Sequence, residues 1–305
     1  MGIADDDLLA VVKDFGRESQ ARMDFSSSTG IVSLDAALGG RLPAGAIEIY
    51  GESSVGKTTL LYEIITSAQD SGMAAALCPS EYLDIPYMRS FGVDLDSLIL
   101  FTGNTGEYVL EAACRFIEDN KILARPCILA IDSATGLRPH HDEFGNWTGM
   151  IATFLEVVLP ALGEGSCVVM TNQIRMKRSV HPDKFFVNGQ VDTTARRIVD
   201  SFSARLELGR MDVTETDYTM TINVVSSIFS MPSTVLSVPV VKGHGVDVMR
   251  DLVRVARDAG AITQAGTWYS WNDVSLGQGE EGAANLLTAN PKLADRILDD
   301  VMKGA

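Results

Sequence analysis

The sequence predicts an α/β protein: a mostly parallel sheet with helices on both faces, a short N-terminal helical segment and a small C-terminal α+β domain. Two observations carry that prediction. From Gly30 onward, candidate strands at 46–50, 73–78, 97–101, 127–131 and 166–171 alternate with candidate helices near 57–71, 84–91, 105–120 and 148–162. Strands that are apolar throughout are strands buried on both faces, as in a parallel sheet. The second observation is Gly51-Glu52-Ser53-Ser54-Val55-Gly56-Lys57-Thr58-Thr59. Its Gly, four residues, Gly-Lys-Thr spacing is that of a phosphate-binding loop, and it stands between an apolar strand and a helix.

Taken in order, residues 1–29 read as a short helix at 5–15 followed by a Ser-rich connector. Asp5, Asp6 and Asp7 favour the dipole at the helix start. The segment is too short for a core of its own and should dock on its own body or on a neighbour's. Residues 30–242 form the core. After the five alternating strands come 203–209, 218–226 and 235–241, with little helix between them. Tyr218 to Val224 alternate at period two, as an antiparallel extension would. Beyond Gly243-His244-Gly245 the character changes. Residues 246–259 read as an amphipathic helix closed by Gly260, Trp268-Tyr269-Ser270-Trp271 enters a hairpin through Asn272-Asp273, and two helices follow. The expected domains are thus 1–29, 30–242 and 243–305.

Bulk properties narrow the function. With 305 residues, 46% hydrophobic and 21% charged, the chain has an ordinary globular composition. No apolar run approaches the ~20 residues of a membrane span, and the acidic N-terminus is not a signal peptide. A cytoplasmic location is the expectation. Cys78, Cys114, Cys127 and Cys167 stand apart in sequence and read as small core residues of a reducing compartment. His140-His141 lacks partners at metal-ligand spacing and reads as a loop. A net charge of −15 alone argues against nucleic acid. Between 174 and 197, however, six bases (Arg175, Lys177, Arg178, Lys184, Arg196, Arg197) face two acids, a local excess of positive charge.

Ligands of such folds sit beyond the carboxyl ends of the strands, so the residues just after each strand are the candidates. A strand, a glycine turn and a helix N-terminus converge several N–H groups on one point, which suits a triphosphate. Lys57 would reach the β and γ phosphates and Thr58 would ligate Mg²⁺. Asp132, directly after strand 127–131, is the expected partner in the Mg²⁺ shell. Glu81, after strand 73–78, is placed to activate water, with a capping role as the alternative. Gln173, after strand 166–171, can hydrogen-bond a γ-phosphate and lose that contact on hydrolysis, which would make it a sensor joined to the basic segment. Tyr87 is placed either to stack on adenine or to be buried.

These residues together resemble the bacterial RecA recombinase family. The likeness runs through 46–59, Glu81-Tyr82-Leu83-Asp84, Tyr87-Met88-Arg89-Ser90-Phe91-Gly92-Val93-Asp94, Asn104-Thr105-Gly106-Glu107 and Ile131-Asp132-Ser133. It continues through Asn172-Gln173-Ile174-Arg175-Met176-Lys177, Ala265-Gly266-Thr267-Trp268-Tyr269-Ser270 and Gly277-Gln278-Gly279. The resemblance implies a RecA-type core and an ATP-dependent, DNA-stimulated ATPase of bacterial or bacteriophage origin. Such a protein polymerises as a helical filament on single-stranded DNA, pairs it with homologous duplex DNA and holds ATP between subunits. Residue by residue, it implies Gly51 to Thr59 on the phosphates, Thr58 and Asp132 on Mg²⁺, and Glu81, Lys57 and Gln173 as catalytic groups. Asp84 and Tyr87 fall at the adenine. Residues 138–150 match a first DNA loop, with Thr148 in the slot of the family's apolar wedge beside Gly149 and with Trp147 or Met150 as substitute wedges. Residues 174–197 match the second loop.

Four departures from the family pattern stand out. Ser226 and Ile228 replace two lysines that reach the neighbour's γ-phosphate, so hydrolysis should slow unless a monovalent cation at the subunit interface takes their place. Residues 243–305 hold six bases against nine acids, and Glu280 stands where a base is expected, which puts duplex capture by this domain in question. The sequence shows no long acidic tail after its last helix, and the N-terminal segment is short. The competing classes are a nucleotide-gated DNA-binding filament with weak ATPase, and a ring helicase or other ATPase on the same core.

Overall fold

The computed structural model describes residues 26–80, 82–140, 146–173, 175–176, 190–191, 196–228 and 234–304. The expected helix at 5–15 and residues Glu81, Lys177, Arg178 and Lys184 lie outside them. Five parallel strands carry the core: β1 (Gly45–Gly51), β2 (Ala74–Pro79), β3 (Ile99–Leu100), β4 (Cys127–Asp132) and β5 (Cys167–Gln173). Two short strands, β6 (Arg175–Met176) and β7 (Gln190–Val191), form a separate antiparallel ribbon. Then β8 (Phe202–Met211), β9 (Asp217–Ser227), β10 (Thr234–Val241) and β11 (Gly245–Val246) extend the main sheet, in the order β11-β10-β9-β8-β1-β5-β4-β2-β3.

β1 is the pivot of this order. It runs parallel to both β5 and β8, with Gly51 opposite Gln173 on one side and Leu208 on the other. β9 and β10 pair antiparallel, and Met220, Ile222 and Val224 point inward at every second position, which is the period-two pattern of the sequence. Ile47 and Ile49 face a core built on α1 (Val32–Ala37), α2 (Lys57–Asp70) and α3 (Ile85–Ser90). Ala46, Leu129, Ile131 and Val168 face the opposite core, under α4 (Gly106–Ile122) and α5 (Asn146–Ala161). A one-turn helix, α6 (Arg196–Val199), leads into β8.

The C-terminal part has its own core under α7 (Val248–Asp258), α8 (Gly279–Ala289) and α9 (Pro291–Gly304). Its sheet has three strands rather than a hairpin: β12 (Ile262–Ala265), β13 (Trp268–Trp271) and β14 (Val274–Gln278). Trp271 is buried, donates its indole N–H to Asp300 (3.1 Å) and carries the Arg296 guanidinium over its ring. A buried carboxylate binds this part to the core. Asp251 on α7 accepts the Ser33 N–H (2.9 Å) and so caps α1, whose N-cap residue Ile31 offers no capping side chain. The helix expected from 246 begins instead at Val248, because Gly245 and Val246 pair with β10.

Glu63 on α2 holds that last strand by accepting the Val246 N–H at 2.7 Å. Gly245 (φ +94°) has no room for a side chain, since a Cβ would lie 2.5 Å from both Glu63 Oε1 and the Phe91 ring. The four cysteines are free thiols, three of them buried. Among the described residues no helix is long and apolar enough to cross a membrane, and no group of three His, Cys, Asp or Glu side chains is placed to hold a metal ion.

Burial pushes the Glu63 carboxyl up to about 7, against the opposing effect of the Val246 N–H. The folded chain therefore binds this proton more tightly than the unfolded chain, and the contribution of Glu63 to stability falls as pH rises from about 4.5 to about 7. Glu63→Gln keeps an acceptor for Val246 and cannot ionise. In urea denaturation it is expected to match the parent near pH 5 and to exceed it by about 1–3 kcal/mol near pH 8.

Candidate nucleotide-binding site

The site forms where the loop after β1 turns into α2. Gly56 is the N-cap of α2, at φ +104°, with no side-chain cap, so the first-turn N–H groups of the helix face the loop mouth. That φ favours glycine, and a Cβ would also push aside the Met220 methyl (2.6 Å) and the Tyr218 hydroxyl (2.9 Å). Ser54 also adopts a left-handed conformation, at φ +61°. Lys57 is buried, and its Nζ donates to the Gly51 (3.2 Å) and Glu52 (2.6 Å) carbonyls, so its charge is held inside the ring of the loop.

Thr58 Oγ1 donates to Asp132 Oδ2 at 2.9 Å, and Thr171 Oγ1 holds the other oxygen, Oδ1, at 2.5 Å. A hydroxyl and a carboxylate brought together at a helix N-terminus are the hard oxygen donors that Mg²⁺ takes, so these residues fit that ion. A cavity of about 290 Å³ is lined by Ser53, Ser54, Gly56 to Thr59, Asp132, Gln173 and Tyr218. The structure thus brings Lys57, Thr58, Thr59, Asp132 and Gln173 together.

The other candidate residues fall around this cavity. Glu52 lines a neighbouring cavity with Glu207, Arg210 and Asn223. The Tyr87 hydroxyl bonds Thr59 Oγ1 at 2.8 Å, and its ring meets Phe91 edge-on at 4.8 Å, so Tyr87 is packed and still borders the loop. Asp84 is exposed and caps α3 by accepting the Tyr87 N–H at 3.0 Å. Glu81 lies outside the described residues, but Ser80 before it accepts the Ser133 N–H (2.7 Å) and ties the ends of β2 and β4 together.

The stretch 138–150, expected as a first DNA loop, is helical from Asn146, where α5 begins. Met150 is 9% exposed and packs in the core against Leu137 and α4, and the Trp147 indole donates to the Ala134 carbonyl at 2.7 Å. Neither is presented as a wedge, because helical periodicity turns both inward, and Thr148 and Gly149 are half-buried. Arg138 and His140 are fixed through their backbones: Gly106 N–H donates to the Arg138 carbonyl, and the Glu107 carboxylate accepts the His140 N–H. Of the second loop, Arg175 and Met176 lie in β6 and Arg196 and Arg197 in α6.

Sequence reasoning missed three residues. Glu48, in the middle of β1, is buried and ion-paired with Arg205 of β8 at 2.7 Å. Asn172, read only as a neighbour of Gln173, donates to Glu48 at 3.0 Å. The available signal was Glu48 as the lone charge inside the otherwise apolar β1; Arg205 shares β8 with Glu207 and Arg210 and carried no such signal. Ser226 lies half-buried opposite Arg205, and Ile228 is 55% exposed at the end of β9.

A family model of the RecA N-terminal domain matches residues 8–247, and one of the RecA C-terminal domain matches 250–305. The chain belongs to the RecA family. Proteins named RecA from Cereibacter sphaeroides, Haemophilus ducreyi and Clostridioides difficile are similar to it. Their identities are 30%, 31% and 32%, over 96%, 96% and 95% of this chain and 91%, 83% and 88% of theirs. A RecA-family recombinase is a DNA-dependent ATPase that uses ATP with Mg²⁺, and the cavity at Lys57, Thr58 and Asp132 offers the donors that such chemistry needs.

In this RecA-family chain Glu280 has a structural task. It accepts from Arg254 Nε (2.8 Å) and Arg250 Nε (3.4 Å), two of the six bases of the C-terminal part. Glu280→Ala is expected to release both arginines from this carboxylate, leaving Arg250 beside Asp247 at 3.9 Å and Arg254 on the Ser237 carbonyl at 3.3 Å. Duplex DNA affinity, followed by fluorescence anisotropy across a salt series, should rise, and the slope against log salt should steepen by up to about 2.

Proposed function

We propose that this chain assembles as a helical filament on single-stranded DNA and exchanges strands with a homologous duplex, binding ATP at the Gly51–Thr59 loop between subunits. The observation that carries the reading is the convergence of Lys57, the Thr58–Asp132 pair and Gln173 on one cavity. Lys57 binds the β and γ phosphates in exchange for its carbonyl partners. Mg²⁺ held by Thr58 and Asp132 supplies charge neutralisation along the triphosphate. Glu81 takes the proton of the attacking water. Gln173 bonds the γ-phosphate and orders the basic segment that follows it, where Arg175, Lys177, Arg178, Lys184, Arg196 and Arg197 contact DNA phosphates. Asp84 and Tyr87 border the adenine.

The test is a pair of substitutions. Lys57→Ala is expected to abolish ATP-dependent filaments in electron micrographs with single-stranded DNA; normal assembly would remove the loop from the site. Glu81→Gln is expected to keep ATP and DNA binding and to lose phosphate release by a factor on the order of 10²–10⁴.

A second reading, a nucleotide-gated filament that hydrolyses ATP weakly, is favoured by Ser226 and Ile228, which carry no charge where the family has lysines. A monovalent cation at the subunit interface is our account of what replaces them. DNA-dependent ATPase rates should then differ between potassium and sodium buffers of equal ionic strength, and identical rates would refute the cation.

A further inference from the structure

A carboxylate at the centre of a sheet needs compensation in place, because an uncompensated buried charge costs several kcal/mol. Glu48, 1% exposed, receives it from both neighbouring strands. Arg205 of β8, 7% exposed, donates through Nε at 2.7 Å, and its guanidinium lies over the Tyr50 ring, 4.8 Å from the centroid. Asn172 of β5 donates through Nδ2 at 3.0 Å. That bond fixes the sense of the Asn172 amide, since only its NH₂ end suits a carboxylate. The carbonyl end is thereby turned to Gln173, whose backbone N–H it accepts at 3.0 Å.

The position of this chain of bonds gives it meaning. β5 ends at Gln173, immediately before the basic segment 174–197, and β8 is the first strand of the main sheet after it. Glu48 itself lies three residues before Gly51, where the phosphate-binding loop begins. One buried carboxylate therefore ties the entry and the exit of the basic segment to the strand that carries the loop.

We propose that Glu48 and Arg205 are positioning residues that couple the nucleotide site to the DNA loop, acting through the amide of Asn172 on Gln173. The proposal rests on the reading of Gln173 as the γ-phosphate sensor. With the Asn172 amide fixed in one sense and both flanking strands pinned to β1, a displacement at Gln173 is passed into the loop. It is not absorbed by slippage of β5.

The test measures coupling as the ratio of single-stranded DNA dissociation constants without nucleotide and with a non-hydrolysable ATP analogue. Glu48→Gln with Arg205→Met removes both charges at similar volume and leaves an amide that can meet Asn172 in either sense. The ratio is expected to fall by roughly tenfold, the scale of a typical coupling energy, while analogue affinity without DNA and the thermal midpoint stay near those of the parent. Arg205→Lys, which keeps the charge pair, should retain most of the coupling. Asn172→Ala removes the relay without touching the ion pair, should lose the same coupling, and decides the matter if the double variant does not fold. Full coupling in a folded double variant or in Asn172→Ala overturns the proposal. Gln173→Ala separates the two levels. If it loses coupling while the other variants keep it, only this inference fails. If it keeps coupling, the sensor reading fails, and with it the route through Asn172.

Discussion

The buried carboxylate of Glu48 is the constraint on which the arrangement of the centre depends. An acid in the middle of an apolar strand is unfavourable unless its neighbours carry its partners. β1 lies between a strand that brings a cation and one that brings a donor amide. β8 and β5 supply Arg205 and Asn172, on opposite sides of β1. The same registers bring the ends of β1 and β5 level at Gly51 and Gln173. From that alignment follow the loop mouth, the Thr58–Asp132 pair and the cavity they border.

Much of this was legible in the sequence because it is written locally. Apolar strands alternating with helices gave the parallel core, and the period-two run at Tyr218 to Val224 gave its antiparallel extension. Asp132 was recognisable as the partner of Thr58 because an acid directly after an apolar strand has few other reasons to be there. The relay was illegible for the opposite reason. Glu48 and Arg205 are 157 positions apart, and nothing in either strand says which distant charge answers it. Trp147 and Met150 were ambiguous for another reason: an apolar residue near a loop reads as a wedge or as core, and α5 starting at Asn146 packs both against the core. Glu280 read as a missing base, whereas in three dimensions it is the common acceptor of Arg250 and Arg254.

The carboxylates at the joints of the molecule share one device, which is to place an acceptor where backbone N–H groups would be left without partners. Glu63 serves the start of β11, Asp251 the start of α1, and Glu107 the backbone at His140. Each sits on a helix and reaches a segment of another element, so the helices act as fixed supports for irregular chain. The N–H bond offsets only part of the cost of burial at Glu63 and Asp251, whose carboxyls stay above the ordinary range because desolvation outweighs it.

The cap on α1 also bears on how the chain is made. Ser33 N–H and its acceptor Asp251 are separated by 218 positions. At a synthesis rate of about 5–20 residues per second, roughly 10–45 s pass between the two leaving the ribosome. During that interval α1, only six residues long, has neither a cap of its own nor the helix that later covers it. The first helix of the described core is thus among the last to be secured, and the small C-terminal part completes the large one.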